Sequence, residues 1–164
     1  MKKFGIFYGS STGTTADIAE KIAKILGVGS SDIHNVNATS PSAVGDYETL
    51  IFGSSTWGSG DLQDDWYDFL DGLKAVSLPE QKIAIFGLGD ETMSDTFCNA
   101  VGKIYDAAKE TGAKIVGAYD TEGYTFDHSD AVRDGQAVGL LLDEVNHPEL
   151  TDRRLRGWLN TIAE

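Results

Sequence analysis

The chain has 164 residues, one domain's worth and enough to bury a substantial core. Thirteen Lys and Arg against 26 Asp and Glu leave a net charge of −13, which excludes nucleic acid and an anionic membrane surface as the main partner, because both demand a basic footprint. With 41% hydrophobic and 24% charged residues the chain is expected to fold, and its single cysteine excludes an internal disulfide and points to a reducing compartment, the cytoplasm.

Met1-Lys2-Lys3 has the basic start of a secretion signal, but the apolar stretch behind it runs only from Phe4 to Tyr8, too short for a signal core. Lys3 to Tyr8 reads instead as a buried strand. From Thr14 to Leu26, apolar residues fall at Ile18, Ala19, Ile22, Ala23, Ile25 and Leu26, one face of a helix. Ile33 to Val36 is a short strand candidate and Thr49 to Ser54 a stronger one. Leu62, Trp66, Phe69, Leu70 and Leu73 recur at helical spacing and predict a second amphipathic helix. Lys82 to Leu88 is the third clear buried strand, followed by a helix through Phe97, Val101, Ile104, Tyr105 and Ala108. Ile115 to Tyr119 and Val138 to Leu142 are both strand candidates, separated by a polar stretch of 18 residues from Asp120 to Ala137. Leu155, Trp158, Leu159 and Ile162 predict a closing helix with Thr151 as its N-cap. No apolar run approaches the roughly 18 residues of a membrane helix.

Buried strands alternating with helices predict one α/β domain over residues 1–164, with a parallel sheet covered on both faces. In such sheets ligands bind beyond the carboxyl ends of the strands, where strand order reverses. The informative loops therefore follow Tyr8, Ser54 and Leu88. In the first, Ser10, Ser11, Thr12, Gly13, Thr14 and Thr15 open a helix, whose N-terminal amides attract anions. The loop has no lysine, so it is not a nucleoside-triphosphate loop, and it lacks the dinucleotide fingerprint. Hydroxyls and amides without a cation suit a single phosphomonoester; a hydroxyl-rich helix cap is the plainer reading. The second loop, Ser54-Ser55-Thr56-Trp57-Gly58, sets a large aromatic among small polar residues, either to stack on a planar ligand or to fold back on the core. In the third, Gly87, Leu88, Gly89 and Asp90 allow a backbone approach to something flat, while Phe97 and Cys98 begin a helix. Cys98 reads as buried packing, and His34, His128 and His147 show no metal-ligand spacing.

The motifs SSTGTT at 10–15, SSTWGSGDLQDDW at 54–66 and GLGD…DTFC at 87–98, in that order, resemble the flavodoxins over essentially the whole chain. The 120–137 stretch and the ending LLLDEVNHPELTDRRLRGWL at 140–159 are similar to the long-chain branch. The resemblance implies a flavodoxin-like three-layer sandwich, a five-stranded parallel sheet in the order 2-1-3-4-5, binding FMN non-covalently at the strand ends. Residues 10–15 would hold the phosphate; Thr56, Trp57, Gly58 and Asp90 would bind the ring, with Trp57 stacked on one face. In that family the peptide after the stacking aromatic turns over on one-electron reduction, and Gly58 would lower the cost of the turn. The chain departs from the family twice: Met93 stands nearest the position of a Tyr on the outer ring face, and Val145 where relatives carry an Asp near the ribityl chain.

Between Lys24 and Lys74 there is no basic residue but eight acids, five of them (Asp61, Asp64, Asp65, Asp68, Asp71) directly after the Trp57 loop. They read as a solvated helix face that also disfavours an anionic reduced flavin and steers basic partners. The function implied is a low-potential one-electron carrier, monomeric, between partners such as a flavodoxin reductase and acceptor enzymes. Two alternatives remain: an FMN-dependent quinone or NAD(P)H reductase on the same fold, and a receiver-type signalling module. The second needs an acidic pair after the first strand, which Tyr8-Gly9-Ser10 does not supply.

Overall fold

The computed structural model describes residues 1–57 and 60–162. Its elements in chain order are β1 (Lys2–Gly9), α1 (Thr14–Leu26), β2 (Ile33–Asn35), β3 (Tyr47–Trp57), β4 (Asp61–Leu62), α2 (Asp65–Leu73), β5 (Lys82–Leu88), α3 (Asn99–Lys109), β6 (Lys114–Val116), β7 (Val132–Arg133), β8 (Gln136–Ala137), β9 (Leu140–Leu142) and α4 (Thr151–Ile162). The main sheet runs β2-β1-β3-β5, and the far side of β5 carries two short strands end to end. β6 pairs Ile115 with Ile83, and β9 pairs Leu140 with Phe86 and Leu142 with Leu88. These pairings are all parallel; taking β6 and β9 as one broken strand gives the expected 2-1-3-4-5 order. The excursion between them carries the small antiparallel hairpin β7–β8.

Side chains of a strand alternate between faces, so register decides which layer each enters. Ile6 lies beside Ile51 and Phe7 beside Phe52, while Phe52 in turn lies beside Ile85. The Phe7–Phe52–Ile85 row packs with Trp66, Phe69 and Leu73 of α2 and Val101 and Ile104 of α3. The Ile6–Ile51 row packs with Ile18 and Ile22 of α1 and Leu155 and Trp158 of α4. Two apolar layers therefore sandwich the sheet and leave its carboxyl edge to the loops. Among the described residues, no helix is long and apolar enough to cross a membrane.

Three local expectations need correction. Leu62 does not begin the second helix; it sits in β4, antiparallel to β3 opposite Thr56, and α2 starts at Asp65. Phe97 and Cys98 do not begin the third helix, because Cys98 adopts a left-handed conformation (φ 52°) and α3 starts at Asn99. Thr151 does not cap α4: a 3-10 turn over Pro148–Leu150 leads in, Thr151 is itself helical (φ −58°, ψ −50°), and its hydroxyl is buried without a partner among the described residues.

Candidate functional site

The first loop closes on itself. Gly13 takes φ 93°, a conformation that favours glycine, and its N–H donates to Ser10 Oγ at 3.0 Å. Ser11 Oγ accepts from Gln63 Nε2 at 3.2 Å, and Thr15 is turned into the core. Ser10, Ser11 and Thr15 are therefore engaged within the protein. Thr12 and Thr14 differ: both are exposed, with hydroxyls 3.4 Å apart, and both line a cleft of about 340 Å³ at the carboxyl edge of the sheet.

From the second loop the same cleft takes Ser55, Thr56 and Trp57. Ser54 is fully buried; its hydroxyl donates to the Ser55 carbonyl at 2.8 Å and accepts from Gln63 N–H at 3.2 Å, so it pins the loop rather than facing a ligand. Ser55 Oγ is buried and has no partner among the described residues. An orphaned buried hydroxyl costs free energy that a ligand's polar atom would recover. Trp57 is 42% exposed, an unusual position for an indole, and it does not fold back on the core. Gly58 lies outside the described residues.

Leu88, Gly89 and Asp90 come from the third loop. The place of a Cβ at Gly87 is already filled by Val101 Cγ2, 2.2 Å away, and at Gly89 by the Cys98 backbone nitrogen at 2.9 Å. Gly87 therefore lets α3 pack closely and does not itself line the cleft, whereas Gly89 lets Cys98 pack closely and keeps a face on the cleft. Asp90 Oδ1 accepts from Thr92 N–H at 2.8 Å and Thr92 Oγ1 at 2.5 Å. These bonds hold its carboxyl below the usual range, so Asp90 is ionised at neutral pH. Beyond it lies a recess of about 150 Å³ that shares Thr56, Trp57, Gly89 and Asp90 with the cleft and adds Met93, Thr96, Phe97 and Cys98. Met93 is 52% exposed, whereas Phe97 and Cys98 are buried behind it. Burial pushes the Cys98 thiol well up, which keeps it protonated and unreactive. Phe126 and Tyr124 of the 120–137 excursion back Phe97, with ring centroids 5.1 and 5.9 Å away.

Several site residues escaped the sequence reading. Glu144, just past β9, also lines the cleft, beside Val145, which the resemblance had already set near the ribityl position. Gln63 ties the first and second loops together. The rule that ligands sit at strand ends applies equally to β9 and was the available signal for 143–147. The structure also brings His147 to two acids: ligand atoms of Glu91, Asp143 and His147 lie within 4.8 Å of one another. That grouping reads as an ion-pair cluster. Asp143 already accepts four N–H bonds, from Glu91, Val145, and both the backbone and side chain of Asn146. Arg154 Nη1 stands 4.0 Å from Glu91 Oε1. A broader groove of about 530 Å³ runs along α1 past Lys21 and Lys24 and meets the cleft at Thr14 and Glu144, but among the described residues no aromatic side chain lines it.

The acidic stretch is partly paired, by one residue distant in sequence and two near it. Lys103 of α3 pairs with Asp61 at 3.7 Å, Lys74 with Asp71 at 3.5 Å, and Asp65 accepts from Gln63 Nε2 at 2.8 Å. Asp64 and Asp68 are exposed and form no ion pair among the described residues.

Paired hydroxyls, an exposed indole and an ionised aspartate, gathered at the carboxyl ends of a doubly wound parallel sheet, define a small α/β ligand-binding protein of the open-sheet class. The order 2-1-3-4-5 is also the flavodoxins' own. The chain belongs to the flavodoxin family, whose sequence model matches residues 6–158. It is 42% identical to Flavodoxin 1 of Azotobacter vinelandii, over 100% of this chain and 97% of that protein. It is 41% identical to the flavodoxin of Haemophilus influenzae, over 100% of this chain and 95% of that one. The structure of Fusobacterium nucleatum flavodoxin bound to flavin mononucleotide superposes with a TM-score of 0.89 at 30% identity, covering 99% of this chain and 98% of that one.

Proposed function

We propose that this chain is an electron carrier, not an enzyme, which shuttles single electrons at low potential between redox proteins on one non-covalently bound FMN. The observation that carries the reading is the orphaned Ser55 hydroxyl, buried in the same cleft that exposes Trp57. The donor set fits the group: neutral hydroxyls for a phosphate, an indole for a ring, an ionised carboxylate for a ring N–H. The Fusobacterium relative, bound to flavin mononucleotide, supports it.

Bound FMN supplies a ring that accepts and releases electrons one at a time. The chain's own residues do the rest. Thr12 and Thr14 donate to the phosphate beside the free amides of α1, and no cation is needed. Trp57 covers one face of the ring and excludes water from it. Ser55 offers its hydroxyl to the ligand, and Asp90 accepts from the ring edge. Met93 lines the recess together with Trp57 and Asp90, and from there its polarizable sulfur would contact the bound ring. Asp64 and Asp68 disfavour added negative charge on the ring, which lowers its potential, and they steer basic partners such as a flavodoxin reductase and low-potential acceptor enzymes. Such transient contacts are small, so charge rather than buried area governs them. The chain acts as a monomer of one domain, in the cytoplasm.

A quinone or NAD(P)H reductase on the same fold would need a site for the second substrate, yet among the described residues no basic one lines the cleft. The deciding experiment is reconstitution with FMN followed by photoreduction. One equivalent should bind, and the long-wavelength absorbance of a one-electron-reduced flavin should accumulate. Rapid bleaching by NAD(P)H alone would replace the carrier with a reductase, and no flavin binding would remove both.

A further inference from the structure

The wall of the cleft that follows β5 is held from outside the cleft. Residues 89–91 run beside 142–146 and are joined to them by a short ladder. Gly89 N–H donates to the Leu142 carbonyl at 2.9 Å, and Glu91 N–H to Asp143 Oδ2 at 3.0 Å. The third rung is a side chain. Asn146 Nδ2 donates to Asp90 Oδ1 at 2.7 Å and to Asp143 Oδ2 at 2.9 Å. One neutral amide thus stands between two carboxylates.

Two carboxylates sharing a site repel, and the cost rises as water is excluded. Asp143 is 1% exposed, and its second oxygen is committed to the N–H groups of Val145 and Asn146, at 3.0 and 2.8 Å. Asp90 has its own donors in Thr92. Among the described residues, only Asn146 donates to both. The ground behind the ladder is fixed as well: Glu91 accepts from Thr125 Oγ1 at 2.7 Å and faces His147 at 3.5 Å and Arg154 at 4.0 Å. Arg154 in turn lies 3.9 Å from the centre of the Tyr124 ring. Asp90 is therefore the loose end of an otherwise anchored group, and Asn146 is what fastens it. Asn146 itself does not line the cleft.

We propose that Asn146 is a positioning residue for the flavin ring: by bridging Asp90 to Asp143 it sets the part of the cleft wall that Asp90 forms. This rests on the flavin reading of the cleft. The bridge acts on the ring side of the ligand, so its loss weakens FMN and riboflavin alike. That separates it from any effect on the phosphate loop.

The test is to titrate apoprotein with FMN and with riboflavin by fluorescence quenching, from pH 5 to 8, for the natural chain, Asn146→Leu and Asn146→Asp. Asn146→Leu, which cannot donate, should weaken both ligands by the same factor, about tenfold, as expected for a lost bond to a charged acceptor. Asn146→Asp should bind both ligands more weakly than the natural chain at the alkaline end, where its ionised carboxyl cannot donate and joins Asp90 and Asp143 as a third carboxylate. The deficit should shrink toward the acid end, because the neighbouring carboxylates favour its protonated, donating form. Because Glu91, Glu144, Glu149, His147 and Arg154 also surround this group, the natural chain's own profile is the reference. If the natural chain binds neither flavin, the flavin reading itself fails. If it binds both while Asn146→Leu binds as tightly, or weakens FMN alone, the role of Asn146 is refuted. Should Asn146→Leu fail to fold, a pH profile of Asn146→Asp identical to the reference refutes it equally.

Discussion

Replacing Thr12 and Thr14 together by Val tests the phosphate loop with little change of shape. Their exposed hydroxyls lie 3.4 Å apart where the loop enters α1, and among the described residues the hydrogen-bond partner of each is the other alone. Valine keeps the branched outline and removes only the donors. A hydrogen bond to a charged acceptor contributes about 1.5–3 kcal/mol. Both residues are exposed, so water competes and the lower figure applies to each. Two such bonds come to about 3 kcal/mol, a loss of roughly 100-fold in FMN affinity at about 1.4 kcal/mol per decade. Riboflavin, which has no phosphate, should bind the variant as it binds the natural chain. The control is Thr15→Val: Thr15 is buried and turned into the core, so the FMN-to-riboflavin ratio should stay unchanged. Calorimetric titration of the apoproteins with both ligands measures the ratio. An equal loss for FMN and riboflavin would refute the assignment of these hydroxyls to the phosphate.

Met93→Tyr should tighten oxidised FMN and make the potential of the second electron more negative, because a Tyr excludes more water from the ring; unchanged affinity and potentials in spectroelectrochemical titration would mean that Met93 does not face the ring. Reversal of Asp64 and Asp68 to Lys should slow reduction by a basic reductase and flatten its salt dependence, read from stopped-flow rates between low and physiological ionic strength, where the Debye length shrinks to roughly 8 Å. His34 stacks on Phe7 and bonds to Tyr47 Oη at 2.7 Å, and burial lowers its affinity for a proton. Below the unfolded value of about 6.5 the unfolded chain takes up the proton more readily, so stability present above that pH is lost as pH falls through the window beneath it. His34→Gln should lack this component of the loss in urea titrations of the apoprotein at pH 5 and 7.

Periodicity alone located the sandwich, because buried strands and one-sided helices leave apolar patterns that survive without tertiary information. The errors fall where local pattern and tertiary packing diverge. Leu62 continues the helical stripe of Trp66 and Phe69, but β3 runs on through Trp57 and offers Thr56 as an antiparallel partner. Cys98 looks like a first-turn residue, yet the chain must turn there for α3 to pack against Gly87. The three loops were legible as ligand loops from their position after strands and their hydroxyls. Which hydroxyls were free was not legible: Ser54 and Ser11 are engaged by Gln63, whose role depends on two loops that meet only in the folded chain. The acidic stretch misled in the same way, since Lys103, which pairs with Asp61, comes from another helix.

The broken outer strand has a bearing on how this protein behaves in company. The long strands β1, β3 and β5, of eight, eleven and seven residues, are all interior. Both margins of the sheet are made of three-residue pieces: β2 on one side, β6 and β9 on the other. After Val116 the chain leaves through Gly117 at φ 84°. A margin that short presents no row of unpaired amides and carbonyls long enough to template a foreign strand. The excursion over 120–137 thus interrupts backbone-to-backbone association along that margin, and leaves meetings with other proteins to side chains, which can let go.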